Sequence, residues 1–138
     1  MAGFSEEGSQ FILNLAFNNT GTSPESIFIG LSPEIINKGD TLENIVEFND
    51  PNYERQLISF TNPIINVENK VEIKNKEYIE FPSCLEDAES PVIYAFITDM
   101  QTGTEGLLLS PIPLDQEKKP KSGENLYIEP EQISILLN

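Results

Sequence analysis

Carboxylates are the most abundant reactive groups in this sequence, and they gather in two places. Asp40, Glu43, Glu47 and Asp50 crowd one stretch, and Glu86, Asp87 and Glu89 crowd another. Either set could offer oxygens to Ca²⁺, which takes about six to eight. Neither has the alternating Asp/Asn ligands and central Gly of an EF-hand loop, so a solvated, self-repelling surface is the simpler reading and no metal site is expected. Two carboxylates could also cleave a glycosidic bond. With 23 Asp and Glu in 138 residues, some pair reaches a workable spacing by chance, and there is no Trp to serve as a sugar platform.

Other reactive groups are scarce. There is no His, which excludes His-based acid–base catalysis, Ser-His-Asp triads and His-ligated metals. The single Cys84 excludes an intrachain disulfide and a thiolate cluster. No Lys, Arg or His lies beside it in the chain to lower its pKa, so it reads as a buried, inert thiol. No catalytic residue and no cofactor is expected. Arg55 is the sole arginine and sits in Asn52-Tyr53-Glu54-Arg55-Gln56. On a strand, Tyr53, Arg55 and Leu57 share one face, and Glu54, Gln56, Ile58 and Phe60 share the other. A lone Arg in an acidic chain most simply pairs bidentately with a carboxylate; the sharper alternative is a place in a subunit interface. Lys118, Lys119 and Lys121 fall in one polar run, either a mobile solvated loop or a contact for an acidic surface, another copy's acidic loop included. Tyr53, Tyr78, Tyr94 and Tyr127 could supply an aromatic platform for a glycan.

The charge balance narrows the partners. Eight basic residues against 23 acidic give a net charge of −15. Phosphate-backbone binding needs Lys and Arg to displace counterions, and anionic lipid attracts basic segments, so neither nucleic acid nor membrane is an expected partner. Apolar residues make up 38%, enough Ile, Leu and Phe for a core. The length suits one domain. No apolar run approaches the roughly 18 residues that suggest a membrane span. The stretch from Met1 to Glu7 lacks the basic and apolar regions of a signal peptide, so synthesis in a cytoplasm is expected.

The elements follow from periodicity. Ser5 can cap a helix whose first turn holds Glu6 and Glu7. Phe4, Phe11, Ile12 and Leu15 form its apolar stripe, and Asn18-Asn19-Thr20-Gly21 ends it. Short strand patterns then follow: Ser26 to Leu31, Tyr53 to Phe60, Lys70 to Ile73, Glu77 to Phe81, Pro91 to Met100, Leu107 to Ser110, Asn125 to Ile128 and Gln132 to Leu137. Ile35 to Asp50 reads as an ordered loop, Asn75 as a turn residue, and Asp115 to Gly123 as a polar loop. Pro111 and Pro113 are expected to close the Leu107 strand. The pattern predicts a mainly β protein: one antiparallel β-sandwich, jelly-roll-like, with a short N-terminal helix. Residues 1–20 form the helical segment and 21–138 the sandwich. The inner face should hold Phe28, Ile79, Phe81, Tyr94 or its neighbours Ile93 and Ala95, and Leu108.

The order of these segments carries a resemblance. An amphipathic helix leads to an apolar strand ending Ile29-Gly30-Leu31-Ser32. An acidic loop places Glu47 before Tyr53-Glu54-Arg55. Tyr78-Ile79-Glu80-Phe81-Pro82 comes next, then Ala95-Phe96-Ile97-Thr98-Asp99, a Thr-Gly turn, and Gly106-Leu107-Leu108-Leu109. Gly123-Glu124-Asn125-Leu126 closes the set. This resembles small tailed-phage virion proteins of the tail-fibre or minor-tail type, to which β-sandwich head decoration and cement proteins are related. The resemblance implies a non-enzymatic structural protein of a bacteriophage virion, assembled in the host cytoplasm. It would be a capsid decoration or a fibre-like accessory on head or tail, with a glycan-binding adhesin module as the alternative. It further implies a homotrimer, with the major capsid protein or another virion structural protein as partner. The expected interface residues are Phe4, Phe11, Tyr53, Arg55, Lys118, Lys119 and Lys121.

Overall fold

The computed structural model describes residues 2–137. Met1 and Asn138, the outermost residues of the expected helical segment and sandwich, lie outside the described residues. Helix α1 spans Glu6–Phe17. The Ser5 hydroxyl accepts the Gly8 N–H at 2.8 Å and donates to the Leu108 carbonyl, so one side chain both caps the helix and ties it to a strand. Asn18 ends the helix, and Asn19 (φ 52°) and Gly21 (φ 95°) turn the chain away.

Among the described residues nine strands follow: β1 (Ile27–Ser32), β2 (Gln56–Ile58), β3 (Ile64–Ile65), β4 (Val71–Lys74), β5 (Ile79–Glu80), β6 (Val92–Thr98), β7 (Leu108–Lys118), β8 (Tyr127–Ile128) and β9 (Ser134–Leu137). They form sheets ordered β2-β1-β6-β7, β3-β4-β9 and β5-β8, and every strand pair is antiparallel. The protein is mainly β with one N-terminal helix. Ala2 adds a parallel bridge to Ile135, so the N-terminal segment lies beside β9 before the helix rests on β7. There Gly8 comes so close to the strand that a Cβ would collide with the Leu109 carbonyl.

β1 and β6 are the inner strands of the four-stranded sheet, and both faces are covered. Burial therefore runs unbroken through Ile29–Ser32 and Ala95–Thr98 instead of alternating. This revises the expected inner face. Ile79, Phe81, Ala95 and Leu108 are buried, but Phe28, Ile93 and Tyr94 are only half-buried. The Phe96 ring occupies the space above Gly30, its register partner across the β1–β6 ladder. It packs with Ile36, Leu42 and Leu108, the first two delivered by the long acidic loop.

Three expectations about element limits are corrected. The Tyr53 strand is shorter, because only Gln56–Ile58 pairs with β1. Ahead of it the chain turns: Arg55 and Ile58 are both buried while Leu57 is 64% exposed. Second, Pro111 and Pro113 do not close β7; they pair with Phe96 and Tyr94 inside it. They are two apart on an edge strand, so both missing N–H groups fall on the side away from β6. Third, β7 continues to Lys118, which shortens the polar loop. Asn75, expected at a turn, is fully buried. Its side-chain amide donates to the carbonyls of Glu77 and Glu129, and its oxygen accepts the Ile133 N–H at 2.7 Å.

Candidate functional site

The Tyr-x-Arg segment converges on Glu47. Arg55 Nε donates to Glu47 Oε2 and Nη2 to Oε1, both at 2.9 Å, a bidentate pair of the kind the lone arginine predicts. Nη1 donates to the Met100 carbonyl and Nη2 also to the Gly103 carbonyl, each at 2.9 Å. The Phe96 ring centroid lies 5.4 Å from the guanidinium carbon. Tyr53 donates to Glu47 Oε2 at 2.5 Å and accepts the Leu31 N–H at 3.0 Å. Burial, then the Glu47 charge and hydrogen bond, push the phenol far above its usual range, so Tyr53 is a neutral donor. Arg55 is 4% exposed. Glu47 keeps 29% of its side chain exposed, and the network ties the acidic loop to β6 and the β6–β7 turn.

A second carboxylate is also engaged inside the fold. Asp50 accepts N–H bonds from Asn52 at 2.9 Å, Leu85 at 3.0 Å and Glu86 at 3.1 Å. Burial works to raise its pKa, yet these three backbone bonds hold the carboxyl below its usual range. A depressed carboxyl stabilises the fold above the pKa of the unfolded chain, about 3.9, and that contribution disappears as pH falls through the folded-state value. Thermal melts should show the wild type losing stability below about pH 4, with a shallower loss in Asp50→Asn. Equal slopes would remove Asp50 from the acid transition.

The Asp50 contact leads to the lysine run. Gly123 donates to the Cys84 carbonyl at 2.7 Å, Cys84 to Glu124 at 2.9 Å, and Ala88 to Pro120 at 2.9 Å. Ser122 N–H donates to Asp87 at 2.8 Å. The segment that carries Lys119 and Lys121 is thus laced to residues 84–88, and both lysines are exposed. Cys84 is buried and free, and burial followed by the Asp50 and Glu124 charges pushes its thiol pKa up, the inert state expected from the sequence. Among the described residues no group of three or more acidic or thiol side chains is arranged to hold a metal ion.

Antiparallel pairing places Tyr78, Glu80, Tyr127 and Glu129 on the outward face of the β5–β8 ribbon, with Ile79 and Ile128 inward. The Tyr78 and Tyr127 rings stack at 5.8 Å with an interplanar angle of 26°, and the residues are 48% and 43% exposed. Lys118 donates to the Tyr127 carbonyl at 3.0 Å and lies 4.6 Å from that ring centroid. Of the seven expected interface residues, Phe4 and Phe11 pack against the core, Tyr53 and Arg55 share the Glu47 network, Lys118 leans on Tyr127, and Lys119 and Lys121 face solvent. The exposed apolar side chains of β4 and β9 carry no separate sequence signal, because their pattern is that of ordinary half-buried strands, and the two-residue β3 is too short to show a period and lies outside the predicted strands.

This mainly β chain, with its Tyr53–Arg55–Glu47 network and its N-terminal helix on β7, matches the family described as podophage GP4 fiber I protein gp80 over residues 3–136. The chain belongs to this family. Membership makes it a phage virion accessory protein of the tail-fibre type, as the segment order suggested. The gp80 match covers the helix, the Glu47 network and nearly all of β9, so no part of the site lies outside it. No curated protein sequence matches the chain. Among the described residues, no helix is long and apolar enough to cross a membrane.

Proposed function

We propose that the chain is a non-enzymatic structural subunit of a fibre on the surface of a phage particle, present as a homotrimer and bound to another virion structural protein. The observation that carries this reading is the fibre-family match over residues 3–136. The architecture is consistent with it: the carboxylates with the best-defined geometry, Glu47 and Asp50, are spent on internal hydrogen bonds. A charge of −15 suits a crowded outer layer, since strong net charge resists aggregation. Lys119 and Lys121 are the exposed cations that would meet an acidic surface of the particle, a contact that weakens as salt screens it over about 8 Å at physiological ionic strength.

The test is antibody labelling of intact particles, with copy number measured on the same preparation. Label on intact virions at about three to eighteen copies, as closed symmetry allows, supports a fibre subunit. Hundreds of copies would make it a capsid decoration instead. Protein found only in infected-cell lysate would refute a place on the virion.

The stacked Tyr78–Tyr127 pair favours a second reading, a glycan-binding module of the same fibre, because exposed aromatic faces bind the C–H faces of sugars. Glycan-array binding that Tyr78→Ala abolishes would select it.

A further inference from the structure

The apolar face of the β3–β4–β9 sheet does not stop where the core stops. On β4, Ile73 and Val71 point the same way. Ile73 pairs with Ile135 and packs into the core. One step outward, Ile65, Val71 and Leu137 stand in register across all three strands, yet they are 72%, 38% and 52% exposed. Val67, at the tip of the β3–β4 turn, is completely exposed. β3 is also an edge strand, with no neighbour among the described residues on its outer side, and an edge of this kind can pair with another chain.

Charge selects the occupant. The hairpin from 61 to 76 carries Lys70, Lys74 and Lys76 against Glu68 and Glu72, a net +1, and the β9 run from 132 to 137 carries none. Glu72 is buried and takes the Ser134 hydroxyl. The whole chain stands at −15, so two copies repel through most of their surface and are least opposed at this end. Apolar side chains and open strand edges can moreover pair with their own kind, so the same end of every copy can meet around one closed symmetry axis.

We propose that copies of this chain associate through the β3–β4–β9 end, with Ile65, Val67, Val71 and Leu137 at the contact. This rests on the reading of the chain as a multi-copy fibre subunit and names the surface by which the copies meet. Such a contact has a distinctive salt dependence. Screening removes the repulsion between acidic bodies and leaves the apolar row untouched, so association tightens between about 50 mM and 500 mM salt. A lysine–carboxylate contact would loosen.

Sedimentation equilibrium of the full chain tests the proposal. The wild type should assemble, and more tightly at the higher salt. Ile65→Lys should weaken assembly at least about tenfold with an unchanged circular dichroism spectrum. Val67→Asp, on a side chain with no fold contact to lose, should act in the same direction. Leu57→Lys, at an exposed apolar position on β2, should leave assembly intact. A wild type that stays monomeric at about 100 μM, or an oligomer indifferent to both Ile65→Lys and Val67→Asp, overturns the proposal. Particle labelling keeps the two readings apart. Assembly lost in Ile65→Lys, with no wild-type protein on virions, rejects the fibre role and keeps the contact. Wild-type protein on virions with assembly insensitive to these variants does the reverse.

Discussion

Glu47→Ala is expected to destabilise the protein by about 3 kcal/mol, the low end of the effect of leaving a buried charge unpaired, since Arg55 is buried but Glu47 keeps 29% of its side chain exposed. The reason is what remains. Arg55 is 4% exposed, and without Glu47 its charge keeps only two carbonyls and an aromatic ring. Tyr53 loses its acceptor in the same step. Against a typical domain stability of about 5–15 kcal/mol, the folded state becomes marginal. The pair itself contributes less than this number suggests, because burying the Arg55 charge and partly burying that of Glu47 is expensive. The double variant Glu47→Leu with Arg55→Met should therefore recover part of the loss. Urea melts of both variants check this; a double variant as unstable as Glu47→Ala would show that Arg55 matters for its carbonyl contacts and not for its charge.

Phe96→Ala should have an effect of similar size, about 3–5 kcal/mol. Phe96 is fully buried, and its ring fills the space that a side chain on Gly30 would need. Gly30→Val alone should also destabilise, by overpacking against that ring. Gly30 is not among the residues with positive φ, so a β-branched residue fits its backbone. The two changes together should then be less harmful than their sum, since valine refills part of the cavity. A double-mutant cycle on urea midpoints measures this coupling. Strict additivity would mean that ring and glycine do not share one space.

Local signals that depend on a few adjacent residues were readable in advance. Ser5, Glu6 and Glu7 marked the helix start, and Val92 to Thr98 marked the central strand. The bidentate partner of Arg55 was foreseeable in kind, because a single guanidinium in an acidic chain has many carboxylates to choose from. What the sequence hid was which faces are covered. Phe28 and Ile29 are neighbours of similar character on opposite faces of β1, and only what packs on each face in the folded chain makes Ile29 the deeper one. The same holds for Pro111 and Pro113, which end a strand unless that strand is an edge with its free side turned their way. Val71 reads as an ordinary strand residue until the sheet is seen to outrun the core, and Ile65 falls between the predicted strands although it pairs in β3.

The Ala2–Ile135 bridge also governs how quickly the native state can form. The first described residue pairs with one 133 positions later, and Ser5 is bonded to Leu108 and Leu109. A growing chain can therefore build the β1–β2 pair early, but its N-terminal helix has no docking strand until β7 has been synthesised. The Ala2 pairing waits for β9. Contacts so distant along the chain close slowly, in the millisecond-to-second range of β proteins with high contact order. Over that interval the helix's apolar residues, Phe11 among them, are uncovered, and the net charge of −15 keeps nascent copies apart until the fold is complete.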